Sequence, residues 1–488
     1  MKTLIKAEQL AQWQIHEFRP PQREVIEHIL QEGSALLIMP TGGGKSLTYQ
    51  WPAAFANKDL VLVISPLIAL MGDQVQKARE LGIRADFINS SLSKEEKEKK
   101  LIKLKQQKYQ LLFVTPERFR KQEFNDIIEN VKISLLAIDE AHCISQWGQD
   151  FRPEYSRLGE IRKQLGNPPV LALTATATEA VQKDIIQQLN QENTDPIKLF
   201  KAPIHRNNLQ LQVHDLYGRE TKIRNLVALR HHVPGPGIIY FSLISELQKV
   251  SDEIAKLGIE HLIYHGQVSA KDRWRNQKSF IASDNLWILA TPAFGLGVDK
   301  PNVRLVVHCE LPASIEAYYQ EIGRAGRDGQ EAEVHLFFDQ DDISIQMDFI
   351  KWATPEASFV RKVYQIIKDY SDRILIEGVE YIREQLHFYH KRDFRLETSL
   401  NLLERWGCII IDEKNRRMMT AVEEPSQELL DENQQIQRLK VQNQKLLELV
   451  QWALMSEGCR LATIYRYFGE ENPKPCGKCD LCKKGSAL

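Results

Sequence analysis

The segment at residues 35–49, which reads ALLIMPTGGGKSLTY, constrains the fold of this chain more than any other stretch. Its first five residues are apolar or small and suit a buried strand, and three glycines then lead directly into Lys45 and Ser46. Because glycine has no Cβ atom, the backbone N–H groups of such a turn can close around a polyphosphate at the N-terminus of the following helix. The pattern therefore predicts a strand, a phosphate-binding loop and a helix that begins at Lys45.

In a loop of this kind, Lys45 would reach the β- and γ-phosphates of the bound polyphosphate, and the hydroxyl group of Ser46 would bind Mg²⁺. Met39 stands where the strict Walker pattern has glycine, so a glycine-rich turn without a ligand is the alternative interpretation. The residues that the pattern places at the nucleotide are Thr41, Gly42, Gly43, Gly44, Lys45 and Ser46.

Apolar runs alternate with helical stretches after this loop, which predicts a mostly parallel sheet covered by helices on both faces. Ligands of such sheets bind at the carboxyl ends of the strands, and Asp139 and Glu140 follow one of these ends. The aspartate can hold Mg²⁺ there and the glutamate can orient or deprotonate the attacking water, so a nucleoside triphosphatase is favoured. The predicted strands are residues 60–65, 85–88, 111–115, 135–138 and 170–174.

The segment FRPPQ at residues 18–22 interrupts two short helices predicted within residues 4–32. A buried turn explains its phenylalanine and its prolines without any function. Alternatively, the side-chain amide of Gln22 can donate to and accept from the edge of adenine, which would place this segment at the nucleotide base.

The segment CISQWGQDFRPEY at residues 143–155 holds Trp147, Phe151 and Tyr155 among polar residues, without helical or strand periodicity. Two interpretations are open for these aromatic side chains. They are either buried in a long loop, or they stack on nucleic-acid bases close to the hydrolytic centre.

A second sheet domain is predicted to begin near Asn207, and its sequence lacks a second phosphate loop. It carries Arg324 and Arg327 next to glycines, so the two side chains can project the same way from a helix end. Either they form ordinary surface ion pairs, or one faces the nucleotide across a cleft as an arginine finger, which contributes roughly 10³- to 10⁵-fold in rate. The strands of this domain are predicted at residues 237–241, 286–291, 304–309 and 333–338.

The bulk properties of the chain limit its class. A length of 488 residues predicts two to four domains, and a formal net charge of −1 at pH 7 means that any nucleic-acid surface must be local. We expect a cytoplasmic protein without a membrane partner, because no run is long enough to span a bilayer and residues 1–10 lack the apolar core of a signal peptide.

The cysteines fall into two groups. Those in apolar surroundings, Cys143, Cys309 and Cys408, are predicted to be packing residues. The other group is spaced C-x16-C-x2-C-x2-C, which suits tetrahedral Zn²⁺ with no coordination position left open for chemistry, so the site is predicted to be structural. The predicted zinc ligands are Cys459, Cys476, Cys479 and Cys482.

Eight motifs together resemble the motor of RecQ family DNA helicases, within helicase superfamily 2, over approximately residues 10 to 340. The combination of DEAH with CISQW and FRPEY is distinctive. The final cysteine cluster, preceded by CRLATIYRYFGE, also resembles the family's zinc module. The motifs, in chain order, are FRPPQ, MPTGGGKS, SPLIALMGDQ, TPERF, DEAHCISQWGQDFRPEY, LTATAT, ATPAFGLGVDKPNVR and YYQEIGRAGRDG.

The resemblance implies ATP- and Mg²⁺-dependent translocation along single-stranded DNA with 3′ to 5′ polarity, separation of duplex DNA ahead of the motor, and a place in DNA recombination and repair. It implies an α/β fold of two tandem RecA-like, doubly wound parallel-sheet domains at residues 1–206 and 207–340. Single-stranded DNA-binding proteins and other repair proteins are the protein partners that it suggests.

The resemblance also assigns roles to individual residues on the first domain. Arg19 and Gln22 match the positions that contact adenine, while Lys45 and Ser46 match those that bind ATP and Mg²⁺. Asp139 and Glu140, already placed at the metal and at hydrolysis, keep those roles.

Further along the chain, His142 resembles the residue that links the hydrolytic pair to other motifs. The aromatic-rich loop that couples DNA contact to hydrolysis is matched by Trp147, Phe151 and Arg152. Arg327 matches the arginine finger, with Arg324 beside it at the cleft between the domains.

Three residues depart from the family pattern. Gln149 occupies a position usually held by histidine, and Asp299 replaces a more usual asparagine. Ile15 stands where an aromatic residue commonly packs on adenine, which leaves Arg19 or Trp13 to supply that face.

The C-terminal third departs from the family in its order, because RecQ proteins usually place zinc directly after the motor and a winged helix after that. Helical spacing at residues 358–390 and 397–406, then a hairpin of 408–411 and 417–421, predicts a winged-helix-like segment at 341–425. A packing domain with a solvated basic edge is the alternative. The candidate contacts to duplex phosphates are Arg392, Arg395, Lys414, Arg416 and Arg417.

Residues 426–488 are predicted to form a long helix, at 427–457, followed by the zinc-binding module. We expect a short-form protein that lacks the extra helical, HRDC-type DNA-binding domain of longer relatives. The alternatives to a DNA helicase are a superfamily 2 motor that acts on RNA, and a DNA-stimulated ATPase or DNA-binding scaffold without productive unwinding.

Overall fold

The computed structural model describes residues 5–13, 15–55, 59–145, 148, 153–190, 196–295, 300–387, 393–412, 418–427 and 430–485. Several residues with predicted roles lie outside these ranges: Trp147, Gln149, Phe151, Arg152, Asp299, Arg392, Lys414, Arg416 and Arg417. The chain divides into two compact units, one of Met1–Asp339 with Gln451–Leu488 and one of Gln340–Val450.

The first unit begins with a sheet whose strand order is β3-β4-β2-β5-β6-β1-β7 and whose neighbouring strands are all parallel. Neighbouring residues of one strand, such as Leu36 and Leu37, belong to different hydrophobic clusters on opposite faces of this sheet. Both faces are therefore buried under helices, which explains why the strands are continuous apolar runs. The strands are β1 Ala35–Ile38, β2 Leu60–Ile64, β3 Ala85–Ile88, β4 Leu111–Val114, β5 Ile133–Ile138, β6 Val170–Thr174 and β7 Lys198–Lys201.

Helices connect these strands, together with short 3₁₀ turns at Pro116–Arg120 and Ala141–Ile144. The helices are α1 Ala7–Gln12, α2 Gln22–Leu30, α3 Leu47–Phe55, α4 Ile68–Glu80, α5 Lys94–Lys105, α6 Gln122–Ile128, α7 Pro153–Ser156, α8 Leu158–Gln164 and α9 Glu179–Leu189.

A second sheet in the same unit is also parallel throughout, in the order β10-β11-β9-β12-β13-β8. Its strands are β8 Leu209–Asp215, β9 Gly237–Tyr240, β10 His261–Tyr264, β11 Trp287–Ala290, β12 Leu305–His308 and β13 Ala332–Phe338. Its helices are α10 Gly218–His232, α11 Ile244–Lys256, α12 Ala270–Ala282 and α13 Ile315–Ile322, with a 3₁₀ turn at Pro292–Gly295.

The second unit has its own hydrophobic core, which includes Val360, Leu396 and Ile409. It contains α14 Asp342–Ala353, α15 Ala357–Asp369, α16 Ser371–Glu377, α17 Val379–Gln385, α18 Arg395–Arg405 and the antiparallel pair β14 Ile409–Ile411 and β15 Met419–Ala421. The chain continues with α19 Glu432–Ala453, α20 Arg460–Tyr467 and α21 Asp480–Gly485.

The predicted α/β class with two parallel sheets is confirmed, as are the positions of the predicted strands to within two residues. Three helix predictions were wrong in detail. The helix predicted at 427–457 is the shorter α19, which begins at Glu432 because Oδ1 of Asp431 accepts from the N–H of Asn433 at its first turn, and which ends at Ala453. The helix after the phosphate loop begins at Leu47, because hydrogen bonds from Leu47 N to Gly44 O and from Thr48 N to Lys45 O keep the intervening residues in a tighter turn. The helix predicted at 358–390 is divided at Tyr370 and at Gly378, whose φ of +76° a helix cannot contain.

Candidate nucleotide cleft and cysteine cluster

The phosphate-binding loop depends on two of its glycines. Gly42 and Gly44 have φ angles of +78° and +88°, a conformation that side chains other than glycine rarely adopt. A Cβ atom on Gly44 would also lie 2.6 Å from Nε2 of Gln22. The loop can therefore keep this path only with glycine at both positions.

Gln22 and Arg19 hold the loop from outside. Nε2 of Gln22 donates to the carbonyl oxygens of Gly43 and Gly44 at 3.2 and 3.0 Å, and Nη1 of Arg19 donates to Gly42 O at 2.9 Å. Oε1 of Gln22 accepts from the backbone N–H of Arg19 at 2.8 Å. In this structure the amide of Gln22 is buried against the loop, so it supports the phosphate site directly, and its contact with adenine stays a prediction.

Lys45 is half-buried beside the loop. Its Nζ donates to Met39 O at 3.1 Å. Burial lowers the pKa of Lys45, while the nearby carboxylates of Glu140 and Asp139 act to raise it. An ammonium group that is partly removed from water beside a glycine-rich loop is suited to an anionic ligand, because an anion would replace the lost hydration.

The acidic pair stands at the end of β5. Burial and the neighbouring Glu140 raise the pKa of Asp139 to about 6, and Lys45 opposes this shift. Glu140 adopts a left-handed backbone conformation with φ of +48°, and its N–H donates to Oδ1 of Asp139 at 3.0 Å. The turn therefore presents two carboxylates next to the lysine, a donor set that fits a divalent cation.

His142 connects this pair to the neighbouring strand. Its Nδ1 lies 3.0 Å from Oγ1 of Thr174 and 3.3 Å from Oε2 of Glu140. Oγ1 of Thr174 also contacts Thr176 through that residue's carbonyl oxygen and N–H. His142 thus contacts both Glu140 and the LTATAT segment, and its role as a link between motifs stays a prediction.

Arg327 approaches the phosphate loop from the second sheet domain. A Cβ atom on Gly42 would lie 3.2 Å from Cδ of Arg327, and the charge of Arg327 contributes to the lowered pKa of Lys45. Arg324 is buried beside Tyr240 and Glu321, and its charge acts to lower the pKa of Tyr240, which burial raises to about 12. The structure therefore brings both predicted arginines to the same cleft as Lys45.

The cleft between the two sheet domains has a volume of about 620 Å³, a size suited to a nucleotide. Its walls combine the phosphate loop, the acidic pair and the arginines with polar residues of α4. Lining residues include Thr41, Gly42, Gly44, Lys45, Ser46, Gln74, Lys77, Asp139, Glu140, Gln320, Arg324 and Arg327.

The four C-terminal cysteines meet at one point, where their sulfur atoms all lie within 4.8 Å of one another. Backbone N–H groups are aimed at these sulfurs: Cys476 N lies 3.2 Å from Sγ of Cys459, and Cys479 N lies 3.3 Å from Sγ of Cys476. Such donors stabilise thiolates, which are the ligands that Zn²⁺ requires. The cluster therefore fits a four-coordinate structural zinc.

Several residues outside these two sites are buried in the core. Cys143, Cys309 and Cys408 are buried, as predicted. Tyr155 is also fully buried and donates to Asp139 O at 3.3 Å, so for this aromatic residue the packing interpretation holds. Trp13 packs in the core, where its ring centroid lies 5.4 Å from that of Trp51. Of the two residues predicted to pack on adenine, this leaves Arg19.

Sequence reasoning missed the residues that hold the arginine-bearing turn. Arg206 and Asn208, between the two sheets, bond to backbone carbonyls of residues 323–330. A single arginine in a connecting segment has no pattern that could reveal this contact.

The fold and the cleft define a nucleoside triphosphatase of the two-domain helicase class. Models of the DEAD/DEAH box helicase domain, the helicase conserved C-terminal domain and the RecQ zinc-binding domain match residues 19–185, 219–329 and 413–483. Among the described residues, no helix combines the length and the apolar character needed to cross a membrane.

Curated relatives identify the family. The chain is 35% identical to the probable ATP-dependent DNA helicase RecS of Bacillus subtilis over 80% of this chain and 84% of that protein. It is 38% identical to the ATP-dependent DNA helicase RecQ of Haemophilus influenzae over 73% of this chain but only 57% of that protein. The chain belongs to the RecQ family of ATP-dependent DNA helicases.

Solved structures share the fold at low sequence identity. Lhr of Mycobacterium smegmatis bound to single-stranded DNA and AMP-PNP aligns with a TM-score of 0.55 at 16% identity, over 96% of this chain and 66% of that one. Dbp5 of S. cerevisiae bound to RNA and ADP BeF3 aligns with a TM-score of 0.55 at 17% identity, over 72% of this chain and 91% of that one. At these identities the likeness concerns the fold alone.

Proposed function

We propose that this protein hydrolyses ATP with Mg²⁺ to move along single-stranded DNA from 3′ to 5′ and to separate duplexes in DNA recombination and repair. One observation carries the proposal: a single cleft joins Lys45 and the pair Asp139 and Glu140 from one sheet domain with Arg324 and Arg327 from the other. A motor of this class needs a nucleotide that binds both domains, since closing and opening the cleft then follows the hydrolytic cycle.

Within the cleft, Lys45 and the N–H groups of the loop would hold the phosphates, while Ser46 and Asp139 would hold Mg²⁺. Glu140 would take a proton from the water whose oxygen attacks the γ-phosphorus, and the bond to the bridging oxygen of ADP breaks. The divalent cation would favour the ionised form of Asp139, whose pKa burial raises to about 6.

Arg327 would act as the arginine finger. Its side chain already reaches the loop at Gly42, where the charge of the transferred phosphoryl group is neutralised. Arg324 lies on the same turn as Arg327 and is buried near Tyr240. It would help to neutralise the charge of the phosphoryl group from the second domain. Arg19 and Gln22 would contact adenine.

Trp147, Phe151 and Arg152 would couple DNA contact to hydrolysis. Tyr155, which follows them in the sequence, donates a hydrogen bond to the carbonyl oxygen of Asp139, and this contact supports the proposed coupling. The segment 341–425 would act as a winged helix on duplex DNA, supported by its helices and its antiparallel pair. Within it, Arg395 is ion-paired with Asp393 at 2.8 Å, so it is a weaker candidate for a phosphate contact.

We also propose the domain boundaries 1–206, 207–340, 341–425 and 426–488, a cytoplasmic location (at the nucleoid if the protein is bacterial), and single-stranded DNA-binding and repair proteins as partners. The zinc at the cysteine cluster would be structural, because four thiolates fill a tetrahedral shell.

The test is strand separation of two fluorescent duplexes, one with a 3′ tail and one with a 5′ tail, with and without ATP and Mg²⁺. We expect only the 3′-tailed duplex to open, only with both cofactors, and not with the variant Lys45→Ala. If neither duplex opens although DNA stimulates ATP hydrolysis, a translocase or DNA-binding scaffold replaces the helicase. Opening of the 5′-tailed duplex alone would reverse the proposed polarity.

A further inference from the structure

Arg206 lies in the segment that connects the two sheets, and its guanidinium group binds the turn that carries the cleft arginines. Nη1 donates to Gly323 O at 3.1 Å, and Nη2 donates to Gly326 O at 3.2 Å and to the carbonyl of Ala325. One side chain thus holds carbonyl oxygens on both sides of Arg324 and immediately before Arg327.

These carbonyls follow the end of α13, where backbone oxygens have no partner within the helix and the helix dipole favours a cation. The planar guanidinium can donate in several directions at once, whereas an ammonium group cannot reproduce that fixed geometry. Burial lowers the pKa of Arg206, yet the group has hydrogen-bond partners that compensate for its lost hydration.

Asn208 fixes the same turn from the adjacent position. Its Nδ2 donates to Gly326 O at 2.8 Å and to Gln330 O at 2.7 Å. Gly326 has φ of +55°, and a Cβ atom there would lie 2.4 Å from that nitrogen. The turn between Arg324 and Arg327 is therefore set by contacts with the connecting segment.

The cysteine module, by which we mean the four clustered cysteines with α20 and α21, holds Arg206 in turn. The backbone N–H of Arg206 donates to the hydroxyl oxygen of Tyr465 at 2.8 Å, and Nε2 of His205 lies 2.8 Å from Oε1 of Glu470. Tyr465 stands on α20, which begins directly after Cys459. A continuous set of contacts thus runs from the cysteine cluster through Arg206 to the arginines of the cleft.

We propose that Arg206 is a positioning residue for ATP hydrolysis, and that Tyr465 makes its position depend on the cysteine module. The inference rests on the proposed hydrolysis in the cleft. By fixing the turn, Arg206 sets where the guanidinium of Arg327 meets the γ-phosphate, and an error of about 1 Å in such an alignment costs about 10²-fold in rate.

The experiment compares Arg206→Lys, Arg206→Ala and Tyr465→Phe with wild type, with Arg224→Ala, an exposed arginine on α10, as the matched control. Steady-state kcat and KM for ATP are measured with single-stranded DNA, together with zinc content and thermal midpoint. Affinities for ADP with aluminium fluoride and with beryllium fluoride separate transition-state binding from ground-state binding.

We expect kcat to fall about 10²-fold in both Arg206 variants. In Tyr465→Phe we expect a fall of about threefold to tenfold. KM, zinc content and beryllium fluoride affinity should stay near wild type, while aluminium fluoride affinity falls. A lower thermal midpoint with unchanged kcat in Arg206→Lys and Tyr465→Phe would overturn the inference and leave Arg206 as a packing residue.

Arg327→Ala in the same series separates two failures. If Arg327→Ala retains wild-type kcat, the proposed finger itself is wrong. If Arg327→Ala loses turnover while Arg206→Lys and Tyr465→Phe keep it, only the positioning role fails. Should Arg206→Ala not fold, the lysine and phenylalanine variants decide the result.

Discussion

The nucleotide cleft and the cysteine cluster both bring polar groups together, but the cleft joins residues from Thr41 to Arg327 whereas the cluster takes all four cysteines from residues 459–482. The cluster draws four sulfurs to within 4.8 Å of one another and surrounds them with N–H donors. The cleft spreads Lys45, the acidic pair and two arginines around about 620 Å³ of open space. Four thiolates that fill the coordination shell of a metal can only stabilise the fold. Charges of both signs around an accessible cleft can bind, orient and release a substrate.

The pKa values of the charged groups in the cleft also indicate a site that binds a ligand. In the cleft, burial raises the pKa of Asp139 and lowers that of Lys45, so each charge is better stabilised once a metal nucleotide is bound. Changes to the cluster should therefore act first on folding, and changes to the cleft should act on turnover at constant stability.

The largest effect is expected from Cys479→Ser. Losing one thiolate should release the zinc and unfold the small module, whose metal contributes on the order of 10 kcal/mol. Metal analysis and thermal denaturation measure this, with Cys408→Ser, a buried cysteine of the other unit, as the control. Full zinc content in Cys479→Ser would show that the cluster is not a four-cysteine site.

Arg327→Ala should lower kcat by about 10³-fold, because the charge that neutralises the transferred phosphoryl group is removed. Zinc content, thermal midpoint and affinity for a non-hydrolysable ATP analogue should match wild type and the control Arg224→Ala. A large loss of nucleotide affinity with normal turnover would make Arg327 a binding residue instead.

His142→Ala should lower kcat by about tenfold, because Glu140 loses the group that holds it toward Thr174. The variant Thr174→Val and the double variant complete a double-mutant cycle in which the rate of ATP hydrolysis is measured. If the two residues act through one contact, the double variant is no slower than the slower single variant. Fully additive losses would separate their roles.

The smallest effect concerns His214, on the second sheet near the cysteine module. Burial and His335 lower the pKa of His214 to about 4, below its value of about 6.5 in an unfolded chain. The unfolded chain therefore binds the proton first, and stability should fall as the pH drops from about 6.5 towards 4.

Allowing for the partial exposure of His214, the loss should be about 1 kcal/mol. His214→Gln should flatten this part of the profile of unfolding free energy against pH, and the exposed His231→Gln should leave it unchanged. Parallel profiles for all three proteins would assign the acid sensitivity to other groups.

How much was predictable from the sequence differs between the two regions. Three features were predictable because each lies in a short segment whose residue types and spacing are typical of one kind of site. These features are the phosphate loop, the acidic pair and the cysteines. Strands such as β9 and β12 were found because a buried parallel sheet needs uninterrupted apolar runs.

Contacts between distant segments were not predictable in the same way. The strand β10, His261–Tyr264, lies at the edge of the second sheet and is half-buried. Its apolar and polar residues do not alternate regularly, so the sequence did not predict it. Arg206 reaches Gly323 across 117 residues of sequence, and only the fold brings them together. The burial of Trp13 against Trp51 likewise depends on packing and not on any local pattern.

The role of the cleft in ATP turnover is tested most directly by measuring ATP hydrolysis by Lys45→Ala with and without single-stranded DNA, together with zinc content in the same samples. Lys99→Ala, an exposed lysine of α5, is the matched control. Lys45→Ala should lose DNA-stimulated hydrolysis while it retains zinc and the wild-type thermal midpoint. Wild-type hydrolysis by Lys45→Ala would contradict this role, because the cleft would then not be the site that turns over ATP.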